Sequence, residues 1–495
     1  MAESTSTIGK KVKALANPLR DEGIGSGDYL EQITYLVFIK MVDEYSKPPY
    51  NRPVNIPKEC TWDELVKLSG EPLESRYKQI LETLGKKEGI LKEIFGGADN
   101  KIKKPALLKK VITMIGSENW VSLASDVKGA IYEEMLKEYA EDTKSGAGQY
   151  FTPRALINTM VKCLRPEPDK TICDPACGTG GFLLSAYDYI SNPNNYSLNK
   201  EQKKALKFDT FFGVELVPAT YRLCLMNLFL HGIGDINSST LPVERKDSLL
   251  NKPSQTFDYV LANPPFGRKS SLTFTNENDE EESEDLVYNR SDFWTTTSNK
   301  QLNFVQHIYS ILKTTGRAAV VVPDNVLFED GAGDTVRKNL LEKVNLHTIL
   351  RLPTGIFYKP GVKANVIFFD NKLPSNDWQT QELWVYDFRS NTHFTLKQNP
   401  MTERDLEDFV ACYNADNIAE RVPTYSEENP NGRWRKYTLK EIKDNHYKLD
   451  LKWMTEDTGE DDLSIGELLA KIKEKSDNIA SAISELQSLL GEEIK

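Results

Sequence analysis

Cysteine and histidine are scarce in this 495-residue chain, at six and five. Six thiols are too few for a disulfide scaffold. Cys173 and Cys177 sit at a metal-like interval, but no second thiol or histidine pair follows at zinc spacing. No metal is expected. Also lacking is any apolar run near the ~20 residues that span a bilayer. The opening residues hold no apolar segment of the secretion-signal kind, so a cytoplasmic chain that meets no membrane is expected. Excess positive charge is missing too, since the formal net charge is -11. Phosphate contacts need a basic footprint. A chain of this balance that handles nucleic acid must gather its lysines and arginines on one face, or leave most of the grip to a partner.

What is present divides into regions. Residues 1–145 read as a helical domain. Asp28 to Tyr45 carries apolar residues on nearly every face, which predicts a helix enclosed in a bundle. Further helices are expected at 62–68, 74–84, 107–114 and 126–139, the last before a linker that runs from Asp142 to Gly148. Beyond it, apolar runs at 171–174, 211–215, 257–262, 318–322, 348–352, 365–369 and 383–388 alternate with helical stretches at 156–164, 182–190, 219–231 and 303–312. That alternation predicts an α/β domain over 146–400, Rossmann-like, with a largely parallel sheet covered on both faces. The closer spacing of its last strands predicts an antiparallel edge hairpin. Glu277 to Asp285 is a charge run with nothing for a core, which predicts a solvated, mobile loop. An irregular extension, 401–462, precedes a C-terminal helical tail, 463–495. In the tail Ile465, Leu468, Ile472, Ile479, Ile483, Leu486 and Leu490 form a narrow apolar seam, suited to a helix of another subunit.

Two motifs end two of the predicted strands. The first is Asp174-Pro175-Ala176-Cys177-Gly178-Thr179-Gly180. Its glycines let the backbone turn tightly into a helix and leave room for a cofactor against the main chain. Glu215 ends the next strand, where a carboxylate accepts from both hydroxyls of a ribose. The interval exceeds the usual ~20 residues, and the insertion at Asn192 to Tyr196 accounts for the excess. No Gly-Lys-Ser/Thr follows, which argues against a phosphate cradle. Asp247 either accepts the amino group of the cofactor's adenine or caps a turn. Gly148-Gln149-Tyr150-Phe151-Thr152-Pro153 is either a capped helix start, with Thr152 as the cap, or a contact for the cofactor's methionine tail.

The second motif is Asn263-Pro264-Pro265-Phe266. It suits an amino group whose lone pair is conjugated with a planar ring or amide, and which is therefore a poor nucleophile. The Asn263 side-chain oxygen and the Pro264 carbonyl each accept one N–H, drawing the nitrogen toward tetrahedral geometry. Two prolines stiffen the turn, and Phe266 offers a face for a flipped base. With the first motif, this points to methyl transfer from S-adenosylmethionine to nitrogen.

The chain resembles the modification subunit of type I restriction–modification systems. The resemblance covers almost its whole length and rests on Gly148 to Arg154, Asp174 to Phe182, Asn263 to Phe266, Arg351-Leu-Pro-Thr-Gly-Ile-Phe357 and His393-Phe-Thr-Leu-Lys397. The order of the first three is similar to the gamma arrangement of amino-group adenine methyltransferases. The resemblance implies N6-adenine methylation of DNA. It also implies a DNA-specificity subunit bound to two copies of this chain, and a restriction subunit, translocase and nuclease, that joins them. The specificity subunit would then carry the grip on DNA that an acidic chain lacks. The residues alone leave open a self-contained adenine methyltransferase, an enzyme of protein glutamine N5, and a catalytically idle scaffold that only binds the cofactor.

Overall fold

The computed structural model describes residues 16–52, 56–122, 151–235, 240–267, 271–275, 281–285, 287–357, 361–396 and 398–454, with 14, 134, 136, 238, 473 and 476 singly besides. The seam of the tail and most of the 126–139 stretch lie outside these residues; Glu134 and Leu136 are helical.

The helices that lead include α1 (Ser26–Ser46), α2 (Trp62–Lys67), α3 (Gly70–Gly85), α4 (Ile90–Phe95) and α5 (Pro105–Gly116). As its all-round apolar sequence predicts, α1 is enclosed: Leu30, Ile33, Leu36, Phe38, Met41 and Val42 are all buried. These helices rest on α9 (Pro218–Leu230), a helix of the α/β region that follows, where Phe38 and Phe229 meet at 4.9 Å and Arg222 pairs with Glu31 at 2.5 Å.

The sheet has nine strands in the order β11-β10-β8-β9-β7-β4-β1-β2-β3. Their ranges are β1 Ile172–Asp174, β2 Phe211–Glu215, β3 Val243–Arg245, β4 Phe257–Ala262, β7 Leu312–Pro323, β8 Val344–Arg351, β9 Ala364–Asn371, β10 Glu382–Asp387 and β11 Trp434–Thr438. Only β9 and β11 run against the rest. The antiparallel pairing of β8 with β9 therefore lies inside the sheet, between β7 and β10. The edge on that side is β11, which comes from beyond residue 400. Strands this deep are apolar on both faces: β4 sends Tyr259 and Leu261 into one core, and Val260 and Ala262 into the other.

Helices cover both faces, among them α6 (Arg154–Leu164), α7 (Gly181–Ser191), α8 (Lys200–Phe208) and α10 (Lys300–Ile311). The Asn199 side chain caps α8 in a box with Gln202, a start signal the apolar pattern alone did not yield. The acidic run is not a plain loop. Glu281–Asp285 forms β6, paired antiparallel with β5, Ser271–Thr275, as a separate two-stranded sheet. Pairing with a segment rich in threonine and phenylalanine supplies the backbone partner that an acidic stretch read in isolation lacks.

Candidate active site

The chain passes from β1 outward through β2 to β3, then returns to place β4 on the other side of β1. A parallel sheet opens a crevice at the carboxyl ends of its strands where the order reverses. Asp174 and Asn263 close β1 and β4 at that point.

Between them lies a cavity of about 160 Å³, far more than the ~10–15 Å³ that one ordered water needs. Its wall gathers Phe151, Thr152, Asp174, Ala176, Gly178, Thr179 and Asn263 from the sequence-predicted set, and adds Leu136, Arg154, Phe182 and Asn227. Gly180 stands behind the wall. At φ +86° it is in glycine's territory, and a Cβ there would meet Cys224 Sγ at 3.1 Å. Gly178, at φ +54°, faces open space. Gly148, Gln149 and Tyr150 lie outside the described residues. Pro153 directly precedes α6, but Thr152 does not cap it: α6 has no side-chain cap bond. The Thr152 hydroxyl instead accepts from Asn263 Nδ2 at 2.8 Å.

That bond orients the Asn263 amide and leaves Oδ1 buried without a partner among the described residues. A buried acceptor left unmade costs on the order of 1–3 kcal/mol. Asn227 repeats the pattern: its Nδ2 donates to the Thr179 carbonyl at 2.8 Å, and its Oδ1 has no partner among the described residues. Asp174 is 1% exposed and accepts from the Ala176 N–H at 3.0 Å. Burial lifts its carboxyl to about 8, the Ala176 N–H opposing and the nearby Glu215 adding to the rise.

Glu215 and Asp247 stand outside this wall. Glu215 accepts from the Gly178 N–H at 3.0 Å and the Val217 N–H at 2.7 Å, so it ties the glycine turn to the end of β2; burial raises its carboxyl. Asp247 accepts from the Leu249 N–H at 2.8 Å, as a turn cap does, and from the Tyr288 hydroxyl at 2.9 Å. Phe266 is 7% exposed, its ring edge-to-face with Phe357 at 5.5 Å. Pro264 and Pro265 hold the turn between, and the Pro265 and Gly267 carbonyls face Gln301 Nε2.

Sequence reasoning missed Asn227, Gln301 and the pairing of Phe357. A lone asparagine among the buried apolar residues of α9 was a usable signal. Gln301 follows the insert and carried none. The polar groups that line the recess are of a kind that would suit S-adenosylmethionine. It offers unpartnered amide oxygens, a buried carboxyl and a glycine floor. Its cationic side chain, Arg154, is engaged with the Gly181 carbonyl and Asp188, so the donor set does not suit a polyphosphate. Among the described residues no group of histidine, cysteine and carboxylate side chains could hold a metal, and no helix is long and apolar enough to cross a membrane.

Comparison with known proteins agrees with this geometry. The family model described as N-6 DNA Methylase matches residues 123–462, and the HsdM N-terminal domain model matches 8–115. The StySJI type I restriction enzyme methylase subunit of Salmonella typhimurium is 35% identical over 97% of this chain and 94% of its own length. The EcoKI methylase subunit of Escherichia coli K12 is likewise 35% identical, over the same shares. Among solved structures, the EcoKI M protein covers 97% of this chain and 96% of its own at 31% identity, with a TM-score of 0.53. A chain from a type I R-M system, solved to explain complex assembly and conformational transition, reaches a TM-score of 0.74 at 26% identity, over 98% of this chain and 99% of its own. The chain therefore belongs to the N-6 DNA methylase family, a homologue of type I restriction enzyme methylase subunits and an adenine-specific DNA methyltransferase.

Proposed function

We propose that the cleft between β1 and β4 binds S-adenosylmethionine and presents it to an adenine turned out of the DNA duplex. The observation that carries this is the Oδ1 of Asn263 in the cleft wall, buried and without a partner among the described residues. It accepts one N6–H of the target, and the Pro264 carbonyl accepts the other. Together they pull the nitrogen out of conjugation and aim its lone pair at the cofactor. The bound cofactor supplies a methyl group activated by a sulfonium. No strong base is required, because the proton leaves after transfer. Phe266 gives the flipped base a ring to lie against. Thr152, Asp174, Ala176, Gly178 and Thr179 hold the cofactor, with Gly148 to Phe151 and Pro153 at its methionine tail. Gly180 keeps the turn open, Glu215 takes the ribose hydroxyls, and Asp247 accepts the adenine amino group.

The chain works in the cytoplasm, two copies to one DNA-specificity subunit, and a restriction subunit joins the complex. The specificity subunit reads the sequence and supplies most of the grip on DNA, which reconciles a net charge of -11 with a DNA substrate. Residues 1–145 form the helical domain, 146–400 the catalytic domain and 401–462 its extension, and the 463–495 helix packs on the specificity subunit. Tritiated methyl transfer to genomic DNA, with nucleoside analysis, tests the reading. N6-methyladenine should form only when the specificity subunit is present. Robust methylation by the chain alone would make it a self-contained enzyme.

A further inference from the structure

The tetrapeptide Asn263–Phe266 is held at both ends by side chains from outside it. At its amino end the Asn263 amide donates to Thr152 Oγ1 at 2.8 Å. Beyond its carboxyl end Gln301 Nε2 donates to the Gly267 carbonyl at 2.7 Å and stands 3.4 Å from the Pro265 carbonyl. Two prolines contribute no N–H, so the turn has little backbone bonding of its own; the Gly267 N–H reaches the Pro265 carbonyl at 3.0 Å. Gln301 is well placed to brace it. The residue is 3% exposed, near the start of α10, and its N–H is bound by the capping Asn299 side chain at 3.0 Å. Asn299 is anchored in turn on Glu329 at 2.8 Å. Among the described residues the buried Gln301 Oε1 has no partner, a cost that an apolar side chain of similar size would not carry.

We infer that Gln301 is a positioning residue for the methyl transfer: its amide N–H fixes the carboxyl end of the catalytic turn, and so sets where the Pro264 carbonyl meets the target amine. This rests on the reading of Asn263–Phe266 as the reacting element. Leucine would keep the volume and lose the donor. Glutamate would set oxygen against carbonyl oxygen until protonated, when its O–H becomes a donor. Displacing a reacting group by about 1 Å costs on the order of 10²-fold in rate.

The test is the single-turnover rate on saturating DNA, with cofactor affinity by calorimetry, in the chain co-purified with its specificity subunit. Gln301→Leu should slow transfer about 10- to 100-fold while cofactor Kd stays within about 3-fold. Gln301→Glu should be equally slow at neutral pH and recover as pH falls, a dependence that the parent enzyme and Gln301→Leu lack. Two results overturn the inference: a wild-type rate in Gln301→Leu, or a Gln301→Glu rate with no acidic recovery. Asn263→Ala, run in parallel, separates the two layers. If it retains the parent rate, the reading of the tetrapeptide falls, and not merely the role of Gln301.

Discussion

One edge of the sheet carries two regions built from the same kinds of residue and finished in opposite ways. At the carboxyl ends of β1 and β4, polar groups are buried and left short: among the described residues Asn263 and Asn227 each keep an oxygen without a partner, and Asp174 is lifted to about 8. Farther along, past the ends of β7, β8 and β10, nothing comparable is left open on the carboxylates. Asp387, fully buried, accepts from Arg351 at 2.5 Å, from the N–H groups of Arg389 and Ser390, and from the Ser390 hydroxyl. Asp324 is clasped by both Nη atoms of Arg389 and by Asn365 Nδ2. Burial pushes its carboxyl up, but the Arg389 guanidinium more than offsets this and leaves it below the usual range. A saturated network fixes shape, and an unsaturated one waits for a ligand. The two regions meet at Phe357, which the Arg351 segment carries onto Phe266.

The contrast can be broken from either side. Arg351→Met should have the largest effect on stability. It strands a fully buried carboxylate, which costs about 3–5 kcal/mol of unfolding free energy, measurable by denaturant titration. An unchanged midpoint would remove the distinction. Phe266→Ala should weaken turnover by about 1–3 kcal/mol per stacked base, read as the methylation rate at saturating DNA, with little loss of cofactor affinity. Unchanged kinetics there would mean the base lies elsewhere. The last test is of pH dependence. The folded state holds the Asp174 proton to about 8, against 3.8 for a carboxyl free in water, so between those values the folded protein binds more protons than the unfolded chain. Its stabilising contribution is complete below pH ~4 and is lost as pH rises through ~8. Ligand-free protein should therefore lose stability over that window, and Asp174→Asn should flatten the slope. An unaltered slope would show that another group governs it.

Much of the site was legible because it is local. Asp174 and Asn263 each end an apolar run, and strand ends are where a parallel sheet exposes chemistry. The runs at 211–215 and 257–262 became β2 and β4 without change. What was not legible depends on distant partners. Thr152 looked like a helix cap because capping is the nearest use for a threonine before a proline, yet its partner is Asn263, across 111 residues. Gln301 serves a turn 34 residues upstream, with the β5–β6 insert between. Three-residue β3 and the edge strand β11 fall below what periodicity resolves, since pairing rather than pattern creates them. Asp247, read as a cap or an adenine contact, has the cap bond, and the Tyr288 hydroxyl adds a second donor that only the fold brings to it.

The most direct measurement is methyl transfer by Asn263→Ala within the assembled complex, with cofactor binding followed separately. If the unpartnered Oδ1 is the acceptor for the target amine, the rate should fall at least about 10³-fold, equivalent to roughly 4 kcal/mol of transition-state stabilisation, while assembly and cofactor affinity stay close to those of the parent. A variant that methylates adenine at the parent rate would contradict the account, because the open oxygen would then have no part in the reaction.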